Sequence, residues 1–270
     1  MGEKLSKHAS PLSNPTGGMI GSMSASTKGR TEQEKQYHNH RYKKDPRRKL
    51  SSFYQITKTV KQDYDRVIYE NCQSSKILEL GCGTGAYALK MASRGAKVTG
   101  VDISDYAIKK AREKAAENNL DINFQVMNAE RLQLEDNYFD LICGTGILHH
   151  LNLNKAITET KRVMKNKGTA VFVEPLGHNI FINWFRILTP GLRTKHEHPL
   201  KLKDLEYIKN QFHHMEVNYY YLFSLLAVFL KRFAAFAAAL KGLEYLDNKI
   251  FNLLPFSKRY AWQILITLRK

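Results

Sequence analysis

Three glycines at alternate positions, Gly81, Gly83 and Gly85, follow the short apolar run KILEL. Glycine lets a backbone turn sharply and approach a ligand closely, because no Cβ atom intervenes. A helix that begins after such a turn presents unpaired N–H groups to an acidic group of the ligand. The third glycine comes one residue too early for the G-x-G-x-x-G pattern of dinucleotide sites. The loop therefore predicts an adenosine-containing cofactor and departs from NAD binding.

Two acidic residues accompany this loop. Glu79 lies two residues before the first glycine, and Asp102 ends the apolar run VTGVD. A carboxylate at the end of the second strand can accept hydrogen bonds from both hydroxyls of a ribose. Asp102 is therefore predicted to hold the sugar of the cofactor.

The elements that must position these residues alternate along the chain from residue 76. The pattern predicts strands at 76–80, 97–102, 123–129, 139–144 and 169–175. It predicts helices at 86–95, at 104–119 with Ser104 as the N-cap, and at 154–168 with Gly168 as the end. Short apolar strands interleaved with helices indicate a mostly parallel sheet covered on both faces, which is a doubly wound α/β domain.

Four stretches carry a resemblance to a known family. LELGCGTG, VTGVDIS, NAERLQLEDNYFDLICGTGILHHL and RVMKNKGTAVFVEP look like the successive motifs of class I S-adenosylmethionine-dependent methyltransferases, in order across residues 76–175. The resemblance implies a seven-stranded Rossmann-like sheet whose last strand, here within residues 259–270, is antiparallel. It also implies S-adenosyl-L-methionine as cofactor and methyl transfer from its sulfonium group.

The resemblance also implies cofactor contacts. It places the methionine part over the backbone of Gly81 and Gly83, and the adenine beside Ile103. Asn128 stands where the family usually has Asp, and its carbonyl oxygen can still accept from the adenine amino group. The full predicted cofactor set is Glu79, Gly81, Gly83, Gly85, Asp102, Ile103, Asn128, Ala129 and Gly144.

The loop after the strand at 139–144 is where the family places the methyl acceptor. Residues 144–147 are Gly-Thr-Gly-Ile rather than the D/N-P-P-Y/F tetrapeptide of DNA and amide N-methyltransferases, and Cys143 lacks the neighbouring proline of cytosine-C5 enzymes. Both classes are disfavoured. His149 and His150 are the acid/base candidates, because imidazole titrates near neutrality. The alternative is that the pair only positions the following helix.

A second polar cluster, residues 174–198, follows the fifth strand, where α/β sites assemble. It supplies His178 as a third catalytic candidate and Trp184, Arg193 and His198 as predicted substrate contacts. Apolar residues at helical spacing suggest a lid over residues 176–212. The polar pairs could equally tie this lid to the sheet. The histidines lack metal-type spacing, so no metal site is predicted.

Residues 222–256 form an apolar insertion before the last strand. One helical face over 222–243 would carry Leu222, Leu226, Phe229, Phe233, Phe236, Leu240 and Leu243. Lys231 and Arg232 interrupt the run, which argues against a membrane span. An in-plane membrane helix, the wall of a lipophilic pocket and a core helix remain open.

The formal net charge of +17 lies mainly at the two ends of the chain. Basic ends could bind an anionic membrane surface or nucleic acid, or they could serve only to keep the protein soluble. Residues 1–30 are predicted to be disordered, although Gly2 and Ser6 fit the myristoylation pattern. Two helices over 31–75, the first beginning at a capping box of Thr31 and Glu34, are predicted to cap the cofactor site of a methyltransferase domain at 76–270. Three scattered cysteines and the absence of an apolar leader in the first ten residues favour the cytoplasm, with peripheral contact at the membrane surface.

These features favour methyl transfer to a small lipophilic acceptor, such as a quinone, an isoprenoid, a lipid or an aromatic natural product. An RNA methyltransferase that binds the phosphate backbone through the basic ends is the alternative. It is less favoured because the chain shows no appended RNA-binding module. A third interpretation is a partner protein without activity, which the intact glycines and Asp102 oppose. The residues leave open the oligomeric state and whether oxygen, nitrogen or carbon receives the methyl group.

Overall fold

The computed structural model describes residues 18–44, 56–189 and 197–270. Its first helix, α1, spans Gly18–Lys44, so the predicted start at Thr31 and the predicted disorder of residues 18–30 are wrong. Residues 1–17 lie outside the described part. The part of the helix before Thr31 was missed because it shows no apolar period; Arg30, for example, docks through an ion pair with Glu130.

Seven strands form one sheet in the order β3-β2-β1-β4-β5-β7-β6. Strand β7 runs antiparallel to both β5 and β6, and the other neighbouring pairs are parallel, which confirms the predicted fold class. The strands are β1 Lys76–Leu80, β2 Lys97–Asp102, β3 Asn123–Val126, β4 Phe139–Thr145, β5 Met164–Pro175, β6 His214–Tyr220 and β7 Gln263–Arg269.

Helices cover both faces of this sheet, because successive strand residues point to opposite sides. On β1, Leu78 and Leu80 join one buried apolar cluster and Ile77 joins the other. The remaining α-helices are α2 Lys58–Tyr69, α3 Ala86–Ala92, α4 Asp105–Glu117, α5 Leu153–Val163, α6 Ile180–Leu188, α7 Leu202–Lys209 and α8 Phe236–Leu253. Ser104 caps α4 as predicted, since its side chain accepts from the amide of Ala107.

The helix predicted over 154–168 ends earlier, at Val163. Met164 pairs with Phe139 as the first residue of β5, and the register shifts between Phe139 and Leu141. A Cβ atom on Gly168 would lie 2.6 Å from Cγ of Met164. Gly168 is therefore needed where the strand bulges, and it does not end a helix.

The insertion lies between β6 and β7, as predicted, but it is not one helix over 222–243. A 3₁₀ segment, Ser224–Leu230, precedes α8, and a second one, Pro255–Tyr260, follows it. The buried side chain of Asp247 accepts from the backbone amides of Leu222, Phe223 and Ser224. The Asp247 carboxylate thus accepts hydrogen bonds from three amides at the point where the chain is not α-helical. In one continuous helix, most of these amides would bond to backbone carbonyl groups instead.

Candidate active site

The glycine turn between β1 and α3 has the backbone that its sequence predicts. Gly81, Gly83 and Gly85 all have positive φ values, of 66°, 53° and 79°. A Cβ atom on Gly81 would lie 2.8 Å from Cδ1 of Ile147, and one on Gly83 would lie 2.6 Å from the hydroxyl of Tyr42. The positive φ values favour glycine at both positions, and an added Cβ atom would also force the neighbouring side chain to move.

Gly85 differs from the other two glycines. It precedes the first residue of α3 and faces Phe124, 2.8 Å from where its Cβ atom would stand. Gly144 lies in β4 under Ile147, whose Cγ2 atom would be 2.8 Å from an added Cβ. Neither residue is part of the cleft wall, so both support the turn and the sheet from behind.

Asp102 fastens the glycine turn to the end of β2. Its Oδ2 atom accepts from the amide of Gly83 at 2.9 Å, and its Oδ1 atom accepts from the amide of Ser104 at 2.8 Å. Burial raises the pKa of Asp102 above its ordinary value, and the two backbone hydrogen bonds act in the opposite direction. Each carboxylate oxygen keeps a further acceptor site, as the expected ribose contact requires.

Glu79 lies at the base of the cleft and is 5% exposed. Burial raises its pKa to about 8, the nearby charge of Asp102 adds to this, and a backbone hydrogen bond from Ala88 opposes it. Its Oε2 atom makes no hydrogen bond within the described part of the chain. A ligand that brings a cationic or N–H donor group to the glycine turn would satisfy this atom.

The residues predicted to contact adenine, Ile103, Asn128 and Ala129, all lie in the wall of the cleft. The side-chain oxygen of Asn128 accepts from the amide of Glu130 at 2.9 Å. The predicted adenine contact would therefore use the second acceptor site of that oxygen. The glycine turn, Asp102 and these three residues border one cleft of about 600 Å³, a volume typical of small-molecule and cofactor sites.

Helix α1 forms the roof of this cleft through side chains that the sequence analysis did not select. Arg30 forms an ion pair with Glu130, and Asn39 receives a 2.5 Å hydrogen bond from the hydroxyl of Ser104. Tyr42 lies over Gly83. The available sequence evidence was Glu34, His38 and Tyr42 at four-residue intervals, a spacing that puts all three on one face of a helix.

The part of the cleft where the methyl acceptor is predicted to bind is built around Glu174, which is fully buried near the end of β5. Its Oε1 atom accepts from the amides of Ile147 and Leu148 at 2.9 and 2.8 Å, and Oε2 lies 2.6 Å from Nδ1 of His149. A carboxylate partner places the proton on Nδ1 and leaves Nε2 of His149 able to accept another. This histidine borders the cleft.

The other two histidine candidates differ from His149. His150 is buried, which lowers its pKa, and its Nδ1 atom lies 3.5 Å from a carboxylate oxygen of Glu34. His178 is half-buried and is not part of the cleft wall. The structure therefore does not join His178 to the other two, although all three lie near strand ends in the sequence.

The predicted substrate contacts are only partly brought to the cleft. Trp184 is 67% exposed and points away, because the inward face of α6 carries Ile182, Phe185 and Arg186. His198 is also outside the wall, and only its amide acts here, by donating to the carbonyl of His149 at 2.8 Å. Arg193 lies outside the described residues. Glu197, a member of the polar cluster 174–198 that was not chosen as a substrate contact, borders the cleft and pairs with Arg186 at 3.0 Å.

The insertion 222–256 contributes no residue to the cleft wall. Its interpretation as a pocket wall is therefore wrong, since its buried residues pack on the sheet and on α2 instead. Leu225, for example, belongs to the same apolar cluster as Val60 and Ile182.

The described residues fit the cofactor that the resemblance implies. Gly81 and Gly83 leave a cradle that a Cβ atom would fill, Glu79 offers an unsatisfied buried oxygen, and Asp102 keeps acceptor sites at the expected ribose. In S-adenosylmethionine, the ammonium group could donate to Glu79 and the ribose hydroxyls could donate to Asp102. The methionine part would lie over the two glycines.

Comparisons with known proteins agree with this site. Residues 78–172 match the family model described as a methyltransferase domain. The ubiquinone biosynthesis O-methyltransferase of Bartonella tribocorum is 38% identical over 94 residues, which cover 34% of this chain and 38% of that protein. The enzyme of the same name from Idiomarina loihiensis is 34% identical over 106 residues, which cover 39% of this chain and 44% of that protein. The matches thus span less than half the length of these relatives.

Solved structures share the fold across most of the chain. Geranyl diphosphate C-methyltransferase from Streptomyces coelicolor superposes with a TM-score of 0.60 at 13% identity, covering 89% of this chain and 97% of its own. Magnesium protoporphyrin IX methyltransferase from Synechocystis superposes with a TM-score of 0.54 at 14% identity, covering 89% and 100%. Together with the glycine turn and Asp102, the match identifies residues 78–172 as the core of a methyltransferase domain.

Proposed function

We propose that this protein methylates a hydroxyl group on a small lipophilic acceptor, with His149 as the general base. The observation that carries the proposal is the buried Glu174, which orients His149 and the loop before it. The matched relatives are O-methyltransferases by name, which supports oxygen as the atom that is methylated. The apolar residues Ile147, Val173, Ile182 and Phe185 in the cleft wall support a lipophilic acceptor.

The chain's own residues would perform three tasks. S-adenosylmethionine supplies an electrophilic methyl group bound to a sulfonium. Asp102 and the glycine turn hold the cofactor, and the apolar wall excludes water from the acceptor. Nε2 of His149 would take the proton from the hydroxyl oxygen that receives this methyl group. Glu174 stabilises the resulting imidazolium and keeps the ring in place.

The acceptor class is tested by incubating the protein with methyl-labelled S-adenosylmethionine and either a host lipid extract or total RNA. We expect the label in a lipid-soluble product that carries a methyl ether. Label in RNA would instead favour the phosphate-binding interpretation of the basic ends, and label on nitrogen or carbon would contradict the hydroxyl acceptor.

The role of His149 is tested by replacing it with alanine. We expect the methylation rate to fall by about 10²–10⁴-fold, with the affinity for S-adenosylhomocysteine nearly unchanged, because a proton acceptor acts mainly in the transition state. The exposed His213 provides the matched control His213→Ala. A near-normal rate in His149→Ala would show that the histidine only positions the loop.

We propose further that the protein contacts an anionic membrane through an apolar rim beside the cleft. The apolar rim is defined as five exposed side chains on α6 and the turn region before α8, namely Ile180, Trp184, Ile187, Phe229 and Phe233. Ile182 of α6 and Leu225 of the insertion belong to the same buried apolar cluster. Within residues 18–44, 56–189 and 197–270, every helix falls short of what crossing a bilayer requires. The proposed contact is therefore peripheral.

A further inference from the structure

Three metal-ligating side chains meet where the roof helix touches the loop after β4. Glu34 and His38 come from α1, and His150 comes from the loop. Nε2 of His38 and Nδ1 of His150 each lie 3.5 Å from the same carboxylate oxygen, Oε2 of Glu34. The exposed fractions of the three side chains are 15% or less, and all three residues border the cleft.

These distances suit a shared cation better than direct hydrogen bonds. Hydrogen bonds from nitrogen to oxygen have lengths of about 2.7–3.2 Å, and both separations exceed that range. Two donors that each lie about 2.1 Å from a tetrahedral metal ion stand about 3.4 Å apart. Nδ1 of His150 also makes no hydrogen bond to the described part of the chain, although the side chain is only 8% exposed.

A second group of donors, His149, His150 and Glu197, shares one histidine with the first. Its other two members make close contacts of their own. Nδ1 of His149 is 2.6 Å from Glu174, and Glu197 pairs with Arg186. A metal ion there would have to compete with both contacts.

We propose that Glu34, His38 and His150 bind one divalent transition metal ion of the zinc class. Two imidazoles and one carboxylate are the ligand set of an open zinc site, which keeps a fourth position for water or a ligand oxygen. The ion would fix α1 to the acceptor loop and thereby hold the roof over the cleft. The sequence analysis predicted no metal site from the spacing of the histidines within one segment. Spacing within a segment cannot reveal ligands that two distant segments bring together.

The test uses the full-length protein, treated with a chelator and titrated with Co²⁺, whose visible absorption is strong in tetrahedral sites. We expect one equivalent to bind with that absorption, to raise the melting temperature, and to be displaced by Zn²⁺. His38→Gln and Glu34→Gln should each weaken Co²⁺ binding by at least about 10-fold, as losses around metal sites commonly do.

Matched controls lie on the same helix. His40 and Glu32 are exposed, so His40→Gln and Glu32→Gln should bind Co²⁺ as the unaltered protein does. Circular dichroism of the metal-free variants verifies that each is folded, and the melting-temperature rise of the unaltered protein does not depend on any variant. Absence of stoichiometric Co²⁺ binding, or equal losses in His38→Gln and His40→Gln, would overturn the proposal. These readouts need no methyl acceptor, so they stand apart from the proposed function.

Discussion

Glu79 and Asp102 are two buried carboxylates on neighbouring strands with different surroundings. Burial raises the pKa of Asp102, but backbone hydrogen bonds from Gly83 and Ser104 favour its charged form. Glu79 has a pKa raised to about 8, because burial outweighs its backbone hydrogen bond. Asp102 can therefore accept hydrogen bonds from hydroxyl groups. Glu79 would be stabilised in its charged form by a cationic ligand that binds beside it.

Replacing Asp102 with alanine tests its contact with the cofactor. We expect affinity for both S-adenosylmethionine and S-adenosylhomocysteine to fall by about 1.5–3 kcal/mol, because a charged hydrogen-bond partner is lost. Isothermal titration calorimetry measures this, with the exposed Asp121→Ala as the control. Unchanged affinity for both ligands in Asp102→Ala would remove Asp102 from the cofactor site.

The raised pKa of Glu79 predicts how stability changes with pH. The folded state holds the proton up to about pH 8, whereas the unfolded chain loses it near its ordinary value of about 4.3. The cofactor-free protein should therefore lose stability as pH rises between these values, by at most about 5 kcal/mol from this group. Glu79→Gln should flatten this slope in urea unfolding, and the exposed Glu135→Gln should not. If the free energy of unfolding changed with pH in the same way in the unaltered protein and in both variants, the raised pKa of Glu79 would be refuted.

At the scale of elements, polar side chains decide where the insertion between β6 and β7 bends. Asp247 on α8 is 2% exposed and accepts from three consecutive backbone amides. It also accepts from the hydroxyl of Ser224 at 2.6 Å. The 3₁₀ segment Ser224–Leu230 thus starts at a side chain of the helix that follows it.

Replacing Asp247 with alanine should destabilise the fold by about 3–5 kcal/mol, since several buried amides lose their acceptor at once. Asp247→Asn keeps one oxygen and should cost less. The neighbouring Asn248 is exposed, so Asn248→Ala should change the free energy of unfolding by less than about 0.5 kcal/mol. Chemical denaturation measures all three. A loss of under 1 kcal/mol in Asp247→Ala would show that the insertion is held by apolar packing alone.

At the scale of the whole molecule, the protein combines a formal net charge of +17 with the exposed apolar rim. Arg232 is exposed and lies between Phe229 and Phe233 in the chain. Peripheral membrane binding gains from apolar burial and from attraction to anionic lipids together. Binding that rests on both contributions should weaken with salt and yet persist in part.

The double variant Phe229→Asp with Phe233→Asp tests this contact. We expect it to abolish sedimentation with vesicles of anionic phospholipid, whereas the control Phe229→Leu with Phe233→Leu should retain most of it. The unaltered protein should keep part of its vesicle binding at high salt. Binding to RNA, measured by gel shift, should instead fall steeply over the same salt series, because each neutralised phosphate releases counterions. Unchanged vesicle binding in the Asp variant would contradict a membrane role for the rim.

The sequence by itself determined the parts of this protein that local pattern encodes. The alternation of strands and helices predicted the sheet, and the three glycines with Asp102 predicted the cofactor turn, because these residues act within or next to their own elements. The choice of His149 as a candidate also came from its place after β4. The predicted start of α1 and the predicted end of α5 were wrong; α5 ends where Met164 pairs with Phe139 on the neighbouring strand.

Only the tertiary structure decided which distant side chains meet. Glu174 reaches His149 from the next strand of the sheet, and Glu34 reaches His150 from the roof helix. The rotation of α6 directs Arg186 into the cleft and Trp184 out of it. Periodicity identifies the buried face of a helix when only one face is apolar. Helix α6 carries apolar residues on more than one face, so its packing in the folded protein decides which of them point inward.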